Sequence, residues 1–269
     1  MKRFLLVVAA VLAASCSNAP APASAVRISS RAELIGGKRA LGEINDYKLS
    51  NGLIHAVIQD VGFSKGFGAF GGSLIDIDLV RAGKTSSTQG PVGNDFFTEM
   101  FPAFFLQAVE PNKVEVAADG RDGTAAIIRV SGEGGDFLSL VNSINDLLIP
   151  KVKTQYTVEY ILEPGKQYLK IVVTLTNKDT RPAKFPLAIP FGFITLLGEG
   201  QKLFVPGEGG FDLRFFLEDV VYKRPSQLEA LPGAVASMWA TEGNGVSYAV
   251  AASPRGAGYM GTNSNGEAD

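Results

Sequence analysis

One cysteine, one histidine and one tryptophan occur in 269 residues. With Cys16 alone the chain can close no internal disulfide, so the folded part must hold together by its core. With His55 alone, no zinc site can be built from several imidazoles, and no second cysteine replaces them. Basic residues are not in excess: 25 Lys and Arg stand against 27 Asp and Glu, a net charge of −2. That balance lacks the basic stripe of a nucleic-acid binder, and no nucleic-acid partner is expected. No apolar run reaches the ~20 residues of a bilayer-spanning helix. A Gly-x-Ser-x-Gly elbow and a loop with EF-hand spacing are also missing. These absences leave no cofactor and no metal centre to expect.

What is present begins with an address. Lys2-Arg3, the apolar stretch Phe4 to Ala14 and the small residues Ala13-Ala14-Ser15 have the anatomy of a secretory signal over residues 1–15. Its end at Cys16 resembles the lipobox of bacterial lipoproteins, with Leu12 one place further from the cysteine than usual. The resemblance implies a lipidated Cys16, membrane attachment through that lipid, and export to the outer membrane, on its periplasmic or its outer face. Cleavage as an ordinary signal peptide after Ala23-Ser24-Ala25 is the alternative. Residues 16–30 then carry the lipidated cysteine and a Pro/Ala-rich tether, because "SNAPAPASAV" favours an extended, poorly packed spacer. Residues 31–269 are expected to form one β-sandwich domain, which the open-ended close "GTNSNGEAD" suggests has been cut short.

The fold class rests on alternation. Tyr156, Val158, Tyr160 and Leu162 alternate with Thr157, Glu159 and Ile161, and Leu169, Ile171, Val173 and Leu175 repeat the pattern. Period two predicts strands, and Glu163-Pro164-Gly165-Lys166 between them has the chemistry of a type II turn. Eight shorter strands are expected over residues 53–61, 73–80, 113–118, 124–131, 185–194, 211–216, 234–240 and 245–251. Asp119 to Gly123 reads as a tight turn. Two segments depart from the pattern: the Phe-rich stretch Asn94 to Gln107, and Phe137 to Leu148, where Leu140, Val141, Ile144, Leu147 and Leu148 follow helical spacing. The expectation is a mostly β chain, a large antiparallel β-sandwich carrying one or two short helices.

Gly66-x-Gly68-x-x-Gly71 has the spacing of a dinucleotide fingerprint. That motif works only when a helix leaves the glycines and aims its amides at pyrophosphate, whereas Asp76-Ile77-Asp78-Leu79 continues with strand alternation. A loop or bulge joining two strands is expected instead. Asp76 and Asp78, two apart on a strand, share a face; they would either bridge a hard cation or, as the preferred reading, line a solvated sheet face. His55 in Leu53-Ile54-His55-Ala56-Val57 is expected as a packed, hydrogen-bonded histidine rather than a general base. Residues 203–213, with Glu208 and Asp212, read as a loop that lines a binding cleft or simply makes a wide connection. No catalytic residue is assigned; Asp76, Asp78, Glu208, Asp212 and His55 are the candidate binding residues. Trp239 and Tyr156, Tyr160 and Tyr168 are expected to serve packing before sugar stacking.

"LSNGLIHAVIQDVG…GGSLIDIDL", "YTVEYILEPGKQYLKIVVTLTN" and "FPLAIPFGFI" together resemble the galactose-mutarotase-like β-supersandwich. They are also similar to the N-terminal sandwich of large secreted bacterial proteins that carry a PHP-type metallohydrolase domain further on. The resemblance spans about residues 43–253. It implies a large sandwich and a carbohydrate or a downstream domain as partner. The paired histidines of mutarotases and the metal-binding histidines of PHP domains are absent, so neither activity carries over. A non-catalytic binding or accessory module, the front of a larger hydrolase or not, is the first expectation. A carbohydrate-active enzyme using Asp and Glu alone is the second.

Overall fold

A computed structural model describes residues 20–81, 93–104, 107–136, 153–180, 192–207, 210–214 and 238–251. The alternation read in the sequence reappears as alternating burial: Tyr156, Val158, Tyr160 and Leu162 on β8 (Thr154–Leu162) are each at most 1% exposed. Its partner β9 (Lys170–Asn177) runs antiparallel, Val158 opposite Val173, and Gly165 in the intervening turn has φ 70°, as the third position of a type II turn demands.

Eight further strands complete the large sheet, every pair antiparallel. They are β1 (Ser24–Arg27), β2 (Tyr47–Ser50), β3 (Ile54–Ile58), β4 (Leu74–Leu79), β5 (Phe97–Phe104), β6 (Gln107–Ala118), β7 (Ala126–Asp136) and β10 (Gly192–Leu197). The order is β1 to β9 in sequence, with β10 beside β5. β11 (Lys202–Gly207), β12 (Gly210–Arg214), β13 (Met238–Gly243) and β14 (Val246–Ala251) form a second sheet, ordered β12-β11-β13-β14.

Met100 of β5 pairs with both Leu74 and Thr195, and Ala103 with both Ala108 and Gly192. A strand has two edges, so β10 takes one and β4 and β6 share the other. The sheet therefore doubles over at β5. Leu49, Ala56 and Ile58 from β2 and β3 meet Ile128, Val130, Tyr156 and Tyr160 from β7 and β8 in one core. Burying each such aliphatic side chain contributes ~1.5–3 kcal/mol. Two phenols cross the interface: Tyr47 Oη donates to the Val114 carbonyl at 2.9 Å and Tyr160 Oη to the Gly72 carbonyl at 3.0 Å. The second sheet docks through β14, where Tyr248 meets the Phe97 ring edge-on at 5.5 Å.

Three expectations change. Ser24–Arg27 pairs with β2 and buries Ala23 and Ala25, so the sheet begins inside the segment read as tether. Small residues suit a spacer, but they also suit an outer strand laid tightly on the sheet. Asn94 to Gln107, which departs from the strand pattern in the sequence, contains β5; Phe97 packs in the main core and Phe101 in a second cluster beside Ala108. Within residues 203–213, read as a loop, residues 203–207 and 210–213 belong to the paired strands β11 and β12, Val205 opposite Asp212. The helical expectation for Phe137 to Leu148, the signal segment, Cys16 and Glu208 lie outside the described residues. Among those described, the helical element is a single 3-10 turn, Arg31–Glu33.

Asn51 fastens the two ends of the doubled sheet. It is fully buried; its Nδ2 donates to the carbonyls of Glu163 and Lys166 at 2.8 and 2.7 Å, and its Oδ1 accepts from the amides of Leu53 and Ile54, both at 3.1 Å. Every hydrogen-bonding position of the amide is used. Asn51→Ala is expected to destabilise the fold by roughly 2–4 kcal/mol, because it leaves buried backbone groups unpartnered. A lower urea midpoint with an unchanged slope is the result to look for.

Candidate functional site

Five acidic side chains, Asp46, Asp76, Asp78, Asp95 and Glu99, are buried. All five accept hydrogen bonds from backbone amides. Glu99 sits in Phe96-Phe97-Thr98-Glu99-Met100-Phe101, where alternation sends it to the side of β5 facing the glycine loop between β3 and β4. Its Oε2 accepts the amides of Phe67 and Gly68, both at 2.7 Å. Its Oε1 accepts the hydroxyls of Ser64 and Ser73 at 2.5 and 2.8 Å.

The glycine motif thus cradles an anion, but an internal one. A Cβ on Gly66 would lie 2.5 Å from Glu99 Oε2, and one on Gly68 would lie 3.0 Å from Oε1. The glycines are required by the close approach of the carboxylate. No helix leaves Gly71; β4 starts at Leu74. The loop is pinned through the Phe67 and Gly68 amides while the Phe63 and Phe67 residues remain 91% and 58% exposed.

β4 carries a bulge: Val57 pairs with Asp76 and Ile58 with Leu74, so Ile75 is the additional residue. Ile75 consequently joins Val57, Ile28 and Ile35 in a cluster outside the main core. Residues 28–46 lie over this outer face, and Asp76 holds them there by accepting the amides of Leu41 at 2.6 Å and Gly42 at 3.0 Å. Asp78 accepts the amides of Leu79 at 2.8 Å and Asn94 at 2.7 Å and pairs with Arg81. The solvated face expected for this pair is overturned: Asp76 is 0% and Asp78 6% exposed, because the chain folds back across them.

Asp95 and Asp46 were not singled out by the sequence. Asp95 Oδ1 accepts from Ile77 N at 3.0 Å, Phe97 N at 3.3 Å and Tyr248 Oη at 3.4 Å, while its Oδ2 has no partner. Burial, reinforced by the neighbouring charge of Asp76, pushes the Asp95 carboxyl up to about 8. Burial likewise raises Asp76 to about 6. Asp46 ties two loops, accepting Glu43 N at 2.8 Å and Asp60 N at 3.0 Å, and it pairs with Lys65 at 2.7 Å.

His55 faces Asp78 across the β3–β4 ladder. The residue is partly buried, and its buried Nε2 has no hydrogen-bond partner where a hydrogen-bonded histidine was expected. Burial, with help from the Lys48 charge, lowers its pKa to about 4 and leaves the ring neutral near pH 7. The ring lines a cleft of about 210 Å³ with Lys48, Ser50, Arg81, Leu34 and Ile35. Of the candidate residues, Asp76, Asp78 and His55 come together on β3 and β4; Asp212 stands in the second sheet on β12, and Glu208 is not among the described residues. Among the described residues, no group of three or more His, Cys, Asp or Glu side chains is arranged to hold a metal ion. Comparison with known protein families, curated proteins and solved structures finds no match for this chain.

Two outcomes follow from this chemistry. Glu99→Leu strands the Phe67 and Gly68 amides and is expected to cost roughly 2–5 kcal/mol, while Glu99→Gln, whose amide can donate to reoriented serine hydroxyls, costs only about 1. Urea denaturation of both variants measures the difference.

The second outcome concerns pH. Folded Asp95 keeps a proton that the unfolded side chain releases near its ordinary 3.8, so stability falls as pH rises from about 4 to about 8. Asp76 acts in the same direction up to about 6. His55 opposes them, since stability is lost as pH falls from 6.5 towards 4. Above pH 6.5 Asp95 is left in control, and stability is expected to drop by roughly 1–2 kcal/mol by pH 8. Thermal melts across this range should show the slope in the native chain and a flat profile in Asp95→Asn.

Proposed function

We propose that this chain is an exported, lipid-anchored β-sandwich of the bacterial envelope that acts as a non-catalytic binding or accessory module. The observation that carries the reading is the use made of the carboxyl groups. Asp46, Asp76, Asp78, Asp95 and Glu99 each accept two backbone amides, and each thereby fixes a loop or a strand end. Glycoside chemistry needs a pair of carboxyls free to flank a scissile bond. Carboxyls committed to the backbone are structural, and the lone imidazole beside them is uncharged near neutral pH.

The anchor part rests on the signal anatomy ending at Cys16 and on where the folded part starts. Pro20 already lies against Gly165 in the β8–β9 turn, and Ala21 against Gly52 in the β2–β3 turn. Four residues from Cys16 to Pro20 span at most ~14 Å, so the end of the sandwich carrying these turns would face the bilayer closely. The glycine loop, at the other end of β3, would point away from it. A carbohydrate of the envelope or a downstream domain is the partner this placement suits, as the supersandwich resemblance implies.

Metabolic labelling with palmitate tests the anchor. The native chain should take up label and fractionate with the outer membrane, and Cys16→Ala should lose both. Label retained by the alanine variant would contradict the reading.

A further inference from the structure

We propose that the cleft beside His55 is a binding site for a small organic carboxylate, held by Lys48 and Arg81 against the apolar wall of Leu34 and Ile35. The proposal rests on the binding-module reading above and names its ligand class. Lys48 supplies the main reason. Its Nζ donates to the Glu33 carbonyl, while the Glu33 carboxylate is turned to Ser29 and Ser30. Lys48 therefore has no ion-pair partner among the described residues.

Burial lowers the Lys48 pKa and the charge of Glu33 opposes it without cancelling it, the mark of an ammonium held partly out of water with no carboxylate in salt-bridge contact among the described residues. Such a charge gains from an anion placed beside it. Arg81 pairs with Asp78, but a guanidinium has five N–H donors and the pair leaves several unused. Lys48 and Arg81 both keep N–H donors beyond those given to the Glu33 carbonyl and to Asp78, and one carboxylate can take them up.

The shape narrows the choice. The cleft's 210 Å³ amounts to about seven water-sized volumes, room for a ligand of about ten heavy atoms. Leu34 and Ile35 offer no donors, so a phosphate would leave oxygens unsatisfied where a carboxylate presents only two. The fork of Arg81 fits a carboxylate in the plane of the guanidinium. Ser50 adds a hydroxyl on the lining. His55, the only histidine in the chain, lies in the same lining with Nε2 unpartnered, so it reports on whatever anion enters.

The test uses the full-length protein in detergent, labelled with ¹³C,¹⁵N-histidine so that His55 gives a single set of imidazole signals. Sodium butyrate, sodium D-glucuronate, glucose and inorganic phosphate are titrated separately. One or both carboxylates should shift the His55 signals saturably and raise its titration midpoint, because a bound anion favours the charged imidazolium. Stronger binding of butyrate assigns an aliphatic acid, and stronger binding of glucuronate a sugar acid.

Lys48→Met should weaken binding roughly tenfold, the equivalent of one charge-assisted hydrogen bond. Arg81→Gln, at the rim, should weaken it severalfold and carries the test if Lys48→Met fails to fold. The proposal is overturned if neither carboxylate gives a saturable shift, if glucose or phosphate binds as tightly, or if a folded Arg81→Gln binds at full strength. Palmitate labelling through Cys16 and glycan turnover are read separately, so the anchor and non-catalytic readings can stand or fall without this site.

Discussion

Buried carboxyl groups that accept backbone amides are the constraint on which the rest of this structure depends. A carboxylate taken out of water is costly unless donors converge on it, and here the donors are main-chain N–H groups of loops. Each acid therefore does two things at once. It satisfies loop amides that the sheet ladder cannot reach, and it fixes the loop's position relative to a strand. Glu99 sets the glycine loop on β5, Asp76 sets the 41–42 segment on β4, and Asp95 links β4, β5 and the Tyr248 hydroxyl of β14.

With no disulfide to close the long connections, this is the chain's means of holding irregular segments over a doubled sheet. The hydrophobic core alone does not specify them. Val57 and Ile75 would accept many apolar neighbours, but Asp76 accepts only the amides placed opposite it. The polar contacts thus select one arrangement of the covering segment from those the apolar cluster would tolerate. The same covering creates the cleft. Residues 31–35 pass over the outer face of β2 and β3 and leave Lys48 and His55 beneath them, partly desolvated.

The β8–β9 hairpin was legible in the sequence because one face is wholly buried and the turn chemistry is unambiguous; Pro164-Gly165 leaves no competing register. The strand after the glycines, where a dinucleotide fingerprint needs a helix, was legible too, since alternation begins directly after Gly72. β1 was hidden because Ser24-Ala25-Val26 has the composition of a spacer and gains its order from pairing with β2. β5 was hidden because Phe on both faces erases period two. The burial of Asp76 and Asp78 could not be read locally, for their partners lie 35 and 16 residues away at Leu41 and Asn94. One signal for Glu99 was available: a lone acid among Phe96, Phe97, Met100 and Phe101 must either face solvent or find donors, and a glycine-rich loop is where donors are free.

The glycine loop combines opposite exposures, with largely exposed aromatic residues and backbone amides sealed on an internal carboxylate. Hydrogen exchange of the Phe67 and Gly68 amides tests this most directly. Protection comparable to that of strand amides in β3 and β4 is the predicted result. Exchange of these two amides at the rate of an unstructured peptide, in a chain whose strands are protected, would contradict it.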